Sequence, residues 1–247
     1  MFLTKKITIT AVVENTCMRH NLTGHHAQSL FLNFKGNQYL FDVGELFYSF
    51  KNNLDALKIL PKKIKAIAIS HNHSDHIGAL KQFTSFLDSQ SIYLPASYDI
   101  NYKNKFVLSG PLELENDLWL TGPLGIDQEQ SVIIDLKKQG LVILVGCSHP
   151  TLPVIVKKAV EITQNKKIFG IIGGFHFKGL TTAQLNSYTL FLKKINPGFV
   201  APCHCTGYKG ILALKKTLGE KVKLSSTGSL GVGNSIEIYP QLKFNFV

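Results

Sequence analysis

The segment that most limits what this chain can fold into is residues 64–76, where an apolar run leads straight into His71, Asn72, His73, Ser74, Asp75 and His76. The run, residues 64–69, lacks the alternation of a half-exposed strand, as expected of a strand buried on both faces. Beyond it, Ile77, Leu80, Phe83 and Leu87 fall at helical spacing, so the sequence predicts a strand, a ligand-rich loop and then a helix. Four metal-competent side chains in six positions at such a junction do not fit the pattern of ordinary surface histidines. Imidazole together with carboxylate suits zinc, iron or manganese.

The rest of the chain supplies strands and helices in alternation. Ile7–Val13 alternates polar and apolar residues, and residues 30–34 and 39–41 flank a Lys35, Gly36, Asn37 turn, which predicts a hairpin. Further on, residues 131–136 and 141–145 read as a second hairpin and residues 154–163 as a helix behind Pro153. Residues 168–172 and 199–201 read as strands, residues 182–194 and the stretch near 211–218 as helices, with terminal strands around Lys223 and Ile236. Two similar halves, each with sheet and helices, predict an α/β protein of sheets packed face to face with helices outside, although periodicity alone does not separate this from a doubly wound sheet. Without a linker or low-complexity tract, one domain is expected over residues 1–247.

Composition removes several classes. With 45% hydrophobic and 17% charged residues, the chain is far from disordered composition. Residues 1–13 read as a first strand, because Thr8, Thr10 and Glu14 break up the apolar stretch a leader would need. No stretch approaches the roughly 18 apolar residues of a membrane-spanning helix, so no membrane partner is expected. Four cysteines are too few for a disulfide scaffold, which makes a reducing, cytoplasmic setting the expectation. The net charge of +11 favours anionic ligands, but the lysines are scattered in pairs, so a nucleic-acid partner is not expected.

Three of the six remaining histidines follow short apolar strands, in Gly146-Cys147-Ser148-His149, Gly173-Gly174-Phe175-His176 and Pro202-Cys203-His204-Cys205-Thr206-Gly207. Cys203 and Cys205 flank His204 and would point away from it if the segment stays extended, which favours packing over ligation. His20, His25 and His26 read first as solvated loop histidines, with substrate contact as the lesser alternative.

The run His71 to His76 matches the His-x-His-x-Asp-His signature of the metallo-β-lactamase superfamily, and Phe41-Asp42-Val43-Gly44 resembles that superfamily's Asp-x-Gly element. The resemblance implies a four-layered αβ/βα sandwich, with Asp42 closing the second-strand turn and hydrogen-bonding to the ligand loop. It implies two divalent metal ions, zinc first with manganese or iron as alternatives. One would be held by His71, His73 and His149, the other by Asp75, His76 and His204. The superfamily's usual bridging aspartate is missing and Cys147 stands where a Gly-Asp pair is expected, which leaves Cys147 open between ligand and buried core thiol. His176 would orient substrate, act as an acid or base, or replace His149 as a ligand.

The three later motifs look like the branch of 7,8-dihydropterin-6-ylmethyl-4-(β-D-ribofuranosyl)aminobenzene 5'-phosphate synthase-like proteins. Asp127-Gln128-Glu129-Gln130 resembles an acidic segment of that branch, and an exposed turn explains it equally. The function implied is a metal-dependent hydrolase that turns a dinuclear-metal-activated hydroxide, oriented by Asp75, on a small anionic substrate of phosphorylated or pterin-like type. The alternatives are a phosphodiesterase or nuclease and a non-catalytic metal-containing metabolite-binding protein.

Overall fold

The computed structural model describes residues 6–238 and 242–246. Residues 1–5 of the expected first-strand segment lie outside them. Two units account for the chain, Met1–Leu108 with Ser225–Val247, and Ser109–Leu224. In order, the first unit runs β1 (Ile7–Val13), β2 (Ser29–Phe34), β3 (Asn37–Phe41), α1 (Phe47–Ala56), β4 (Ile64–Ala68), α2 (Ser74–Ile77), α3 (Leu80–Phe83), β5 (Ser91–Leu94) and β6 (Lys105–Val107). The second unit holds β7 (Leu112–Glu115), β8 (Leu118–Leu120), β9 (Val132–Asp135), β10 (Leu141–Val145), α4 (Leu152–Thr163), β11 (Ile168–Gly174), α5 (Thr182–Ile195), β12 (Phe199–Cys203) and α6 (Gly207–Leu218). The chain then returns to the first unit with β13 (Ser235–Glu237) and β14 (Lys243–Asn245).

Each unit builds one mixed sheet. In the first, the order is β14-β13-β1-β2-β3-β4-β5-β6, antiparallel as far as β3 and parallel from β3 to β6. In the second, β12, β11 and β10 run parallel, and β9, β8 and β7 continue antiparallel. Parallel strands need covered faces. In the first unit α1 and α3 supply the cover: Phe50, Leu54, Leu80 and Phe83 are fully buried with Ile67 and Ile92, and the Phe50 and Phe83 rings meet edge to face at 4.9 Å. In the second, Ile155 of α4, Leu192 of α5 and Leu214 of α6 bury with Ile143, Ile171 and Val200 of the central strands. Each such side chain removed from water contributes about 1.5–3 kcal/mol. The parallel strands β4, β10, β11 and β12 all have their C-terminal ends followed at once by a histidine-bearing segment, the usual position for ligand sites on such sheets.

Both expected hairpins are present, β2 with β3 and β9 with β10. Three expectations need correction. The helix expected after the histidine run is instead α2, α3 and a 3-10 turn over Thr84–Phe86. Its apolar positions do face the core, but the Thr84 and Ser85 hydroxyls bond back to the Lys81 and Gln82 carbonyls at 2.8 Å, competing with a continuous helix. The strand expected around Lys223 is only an isolated bridge between Val200 and Val222. Finally, α6 begins at Gly207, four residues ahead of the apolar positions that signalled it.

Candidate metal centre

The ligand loop is anchored before it can hold anything. Asp42 follows β3, the third strand of the chain, in a left-handed conformation with φ of 64° that a non-glycine residue adopts only when its surroundings require it. Its fully buried carboxylate does the requiring. Oδ1 accepts the Ser70 backbone N–H at 2.6 Å, and Oδ2 takes the Ser70 hydroxyl at 2.9 Å and His76 Nδ1 at 2.7 Å. The expected bond from Asp42 to the ligand loop is therefore observed. Gly78 completes the clamp, because a Cβ there would lie 2.6 Å from the Ser74 carbonyl and 2.7 Å from that of Glu45.

These contacts decide which imidazole atoms are presented. His76 Nδ1 is held by Asp42 and His71 Nδ1 lies 2.9 Å from the Ser70 hydroxyl, so Nε2 becomes the ligating atom of both rings. His71 Nε2 is 3.0 Å from His73 Nδ1, and His76 Nε2 is 3.9 Å from Asp75 Oδ2. The first unit thus offers two donor pairs, His71 with His73 and Asp75 with His76. Donors at these separations suit neighbouring positions around one cation, and the nitrogen and carboxylate chemistry fits the divalent metals expected.

The second unit presents His149, His176 and His204. His149 sits in the loop after β10, and that loop closes on Glu129. One carboxylate oxygen, Oε1, accepts the backbone N–H groups of Gly146, Cys147 and Ser148 at 2.9–3.1 Å, and Oε2 accepts that of His149 at 2.7 Å. The exposed turn that could have explained Asp127 to Gln130 is thereby ruled out at Glu129, which is fully buried. Asp127 Oδ2 lies 3.4 Å from His149 Nδ1. His204 opens a 3-10 turn with φ of 49°, so the segment after β12 does not stay extended. The extended geometry on which the packing reading of Cys205 rested is therefore absent; Cys205 is buried, its sulfur accepts the His176 backbone N–H at 3.2 Å and lies 3.6 Å from the Cys147 carbonyl oxygen. Cys203, on β12, is buried in the core. His176 is exposed, and its ring centroid is 4.6 Å from that of His149.

Electrostatics follow the packing. Burial opposes ionisation of Cys205, but hydrogen bonds with Cys147 and His176 outweigh it and hold the thiol well below its usual range. A hydrogen bond between the Cys205 sulfur and the His176 ring, distinct from the backbone one, raises the His176 imidazole against the opposing effect of burial. Among the loop histidines, His20 is exposed as expected and His26 Nε2 lies 3.6 Å from Asp75 Oδ2. His25 departs from the solvated reading: both ring nitrogens are buried with no hydrogen-bond partner among the described residues, and burial lowers its pKa against the pull of Glu45. Of the residues that matter here, Ser70 carried no sequence signal of its own, and Glu129 acts on a loop 17–20 residues away, beyond any local pattern.

The sequence pattern described as the Metallo-beta-lactamase superfamily matches residues 31–150. Over those residues the chain is similar to that superfamily. The solved structure described as Tm1679, a metal-dependent hydrolase of the beta-lactamase superfamily, superposes with a TM-score of 0.77 at 21% identity, over 94% of this chain and 99% of that one. The metallo-beta-lactamase fold protein YhfI of Bacillus subtilis gives 0.64 at 15% identity, over the same shares of each chain. The fold is therefore the expected α/β type, with two sheets and helices. In sequence, the chain is 26% identical to the 7,8-dihydropterin-6-methyl-4-(beta-D-ribofuranosyl)-aminobenzene-5'-phosphate synthase of Methanocaldococcus jannaschii, over 74% of this chain and 82% of that protein. Among the described residues, no helix is long and apolar enough to cross a membrane.

Proposed function

We propose that this chain is a metal-dependent hydrolase of small anionic substrates, built on two divalent ions, zinc first with manganese or iron as alternatives. In this reading His71, His73 and His149 hold one ion, and Asp75, His76 and His204 hold the other. The observation that carries it is the approach of the first unit's donors, His71 Nε2 to His73 Nδ1 at 3.0 Å and His76 Nε2 to Asp75 Oδ2 at 3.9 Å, with the His71 and His76 rings turned by Ser70 and Asp42. Bound there, the ions would supply Lewis acidity and acidify a water toward neutrality. The protein's own share is positional: Asp42 and Ser70 fix the tautomers of His76 and His71, and Glu129 fixes the loop bearing His149. Asp75 orients the attacking water. His176, exposed beside His149, orients substrate or moves a proton.

The net charge of +11 supports an anionic substrate, and the name of the archaeal relative suggests a pterin or phosphoribosyl compound as the first class to try. The test is a panel of phosphodiesters, lactones, thioesters and pterin phosphates offered to metal-analysed protein, alongside His73→Ala. Loss of both metal and turnover in His73→Ala is expected. Unchanged metal content and activity would sink the proposal, and turnover confined to phosphodiesters would move the assignment to a phosphodiesterase or nuclease.

A further inference from the structure

Three donors in the second unit converge without help from the first. The Sγ atoms of Cys147 and Cys205 and a ring nitrogen of His176 all lie within 4.8 Å of one another. Around a tetrahedral zinc, with sulfur at about 2.3 Å and nitrogen at about 2.0 Å, such donors stand roughly 3.5–3.8 Å apart, within reach of small side-chain rotations. The two cysteines come from different ligand loops, after β10 and after β12, and the histidine from the loop between them, after β11. Three parallel strand ends thus each contribute one donor.

The local backbone is shaped for this meeting. Ser148, His176 and His204 all hold positive φ, at 65°, 50° and 49°, which non-glycine residues adopt only where the fold imposes it. Gly174 lets the segments close up, since a Cβ there would stand 2.6 Å from Cys205 Sγ. Both thiols are buried, at 3% and 8% exposure, while His176 is exposed. A cation would enter past the imidazole and rest on the sulfurs.

We propose that Cys147, Cys205 and His176 form a further metal site, within the second unit, that takes a soft or borderline cation of the zinc class and leaves one coordination position open. Two thiolates and one imidazole match that class and not magnesium or calcium. On binding, each thiol gives up its proton to solvent and the two thiolate charges balance a divalent ion. Cys147 also has its sulfur within 4.8 Å of donors of His149 and of His204, so the test must remove the superfamily site.

The experiment uses the full chain carrying His71→Ala, His73→Ala and Asp75→Ala, so that each of the two ions proposed above loses ligands, kept reduced with a phosphine, stripped of metal and titrated with cobalt(II). About one equivalent is expected to bind with a thiolate-to-cobalt charge-transfer band in the near ultraviolet. Adding Cys205→Ser should abolish the band and His176→Ala should weaken binding. In parallel, zinc should protect Cys147 and Cys205 from alkylation in the chain carrying His71→Ala, His73→Ala and Asp75→Ala, a readout that needs no cysteine variant to fold. A band that survives Cys205→Ser overturns the proposal. So does a folded chain carrying His71→Ala, His73→Ala and Asp75→Ala that shows neither band nor protection. Because the superfamily ligands are disabled throughout, failure here leaves the hydrolase reading to its own test.

Discussion

Glu129 and His25 show how single side chains set conditions for the site. The Glu129 carboxylate, fully buried, accepts four backbone N–H groups from Gly146 to His149, and without it those donors would be desolvated with nothing to bond. Glu129→Gln keeps the shape, removes the charge and turns an amide NH2 toward at least one of those N–H groups. A loss of about 2–3 kcal/mol in urea unfolding is expected, from the strength of hydrogen bonds to charged groups, and an unchanged midpoint would show the loop holds itself. His25 concerns pH. Its burial favours the neutral ring, so the folded pKa lies below the ordinary value of 6.5 and the unfolded chain binds the proton more readily. Stability is therefore full above that value and declines as pH falls from it toward the lowered folded pKa. His25→Gln should flatten this decline in unfolding midpoints measured across the same range; a slope identical to the parent's would contradict the assignment.

At the scale of elements, the second sheet depends on backbone closeness around β11. Gly174, at its end, faces the Gly146 carbonyl at 2.6 Å and Cys205 Sγ at 2.6 Å from where a Cβ would stand. Gly174→Ala should push the loop after β10 away from the turn after β12, costing about 1–3 kcal/mol as overpacking does. It should also raise the alkylation rate of Cys205 in the otherwise unaltered chain. A rate and a midpoint like the parent's would mean these loops have slack. The same elements explain how much the sequence disclosed. The strand β4 and the loop after it were legible because an apolar run without alternation and a dense ligand cluster are both local signals. The strands β5 to β8, of three or four residues each, leave too short a pattern to read. The turn at His204 was missed because its left-handed backbone is imposed by neighbours brought close only in the fold, and with it went the meaning of Cys205. The acidic segment at Asp127 was visible, but whether Glu129 was exposed depended on a loop far along the chain.

For the whole molecule, metal and charge make separable demands. A metal that binds only the folded chain stabilises it by mass action, about 2.7 kcal/mol at a free concentration 100 times the dissociation constant. Chelation should therefore lower the unfolding midpoint of the parent, and lower it less in His73→Ala; equal shifts would detach the metal from the histidine run. The charge acts at longer range. With 27 basic against 16 acidic side chains, the net +11 is spread over scattered lysines and draws anions from solution without naming one. Such steering is screened over about 10 Å at 0.1 M salt. If the substrate is anionic as proposed, kcat/KM for a phosphorylated substrate should fall steeply as sodium chloride is raised, while a neutral ester or lactone of similar size should change little. Measuring both on one enzyme preparation separates screening from any effect of salt on the fold, because a loss of folded protein would lower the two together. Parallel lines for the two substrates would mean that the lysines serve solubility alone and that recognition of the anion rests entirely on the groups at the site.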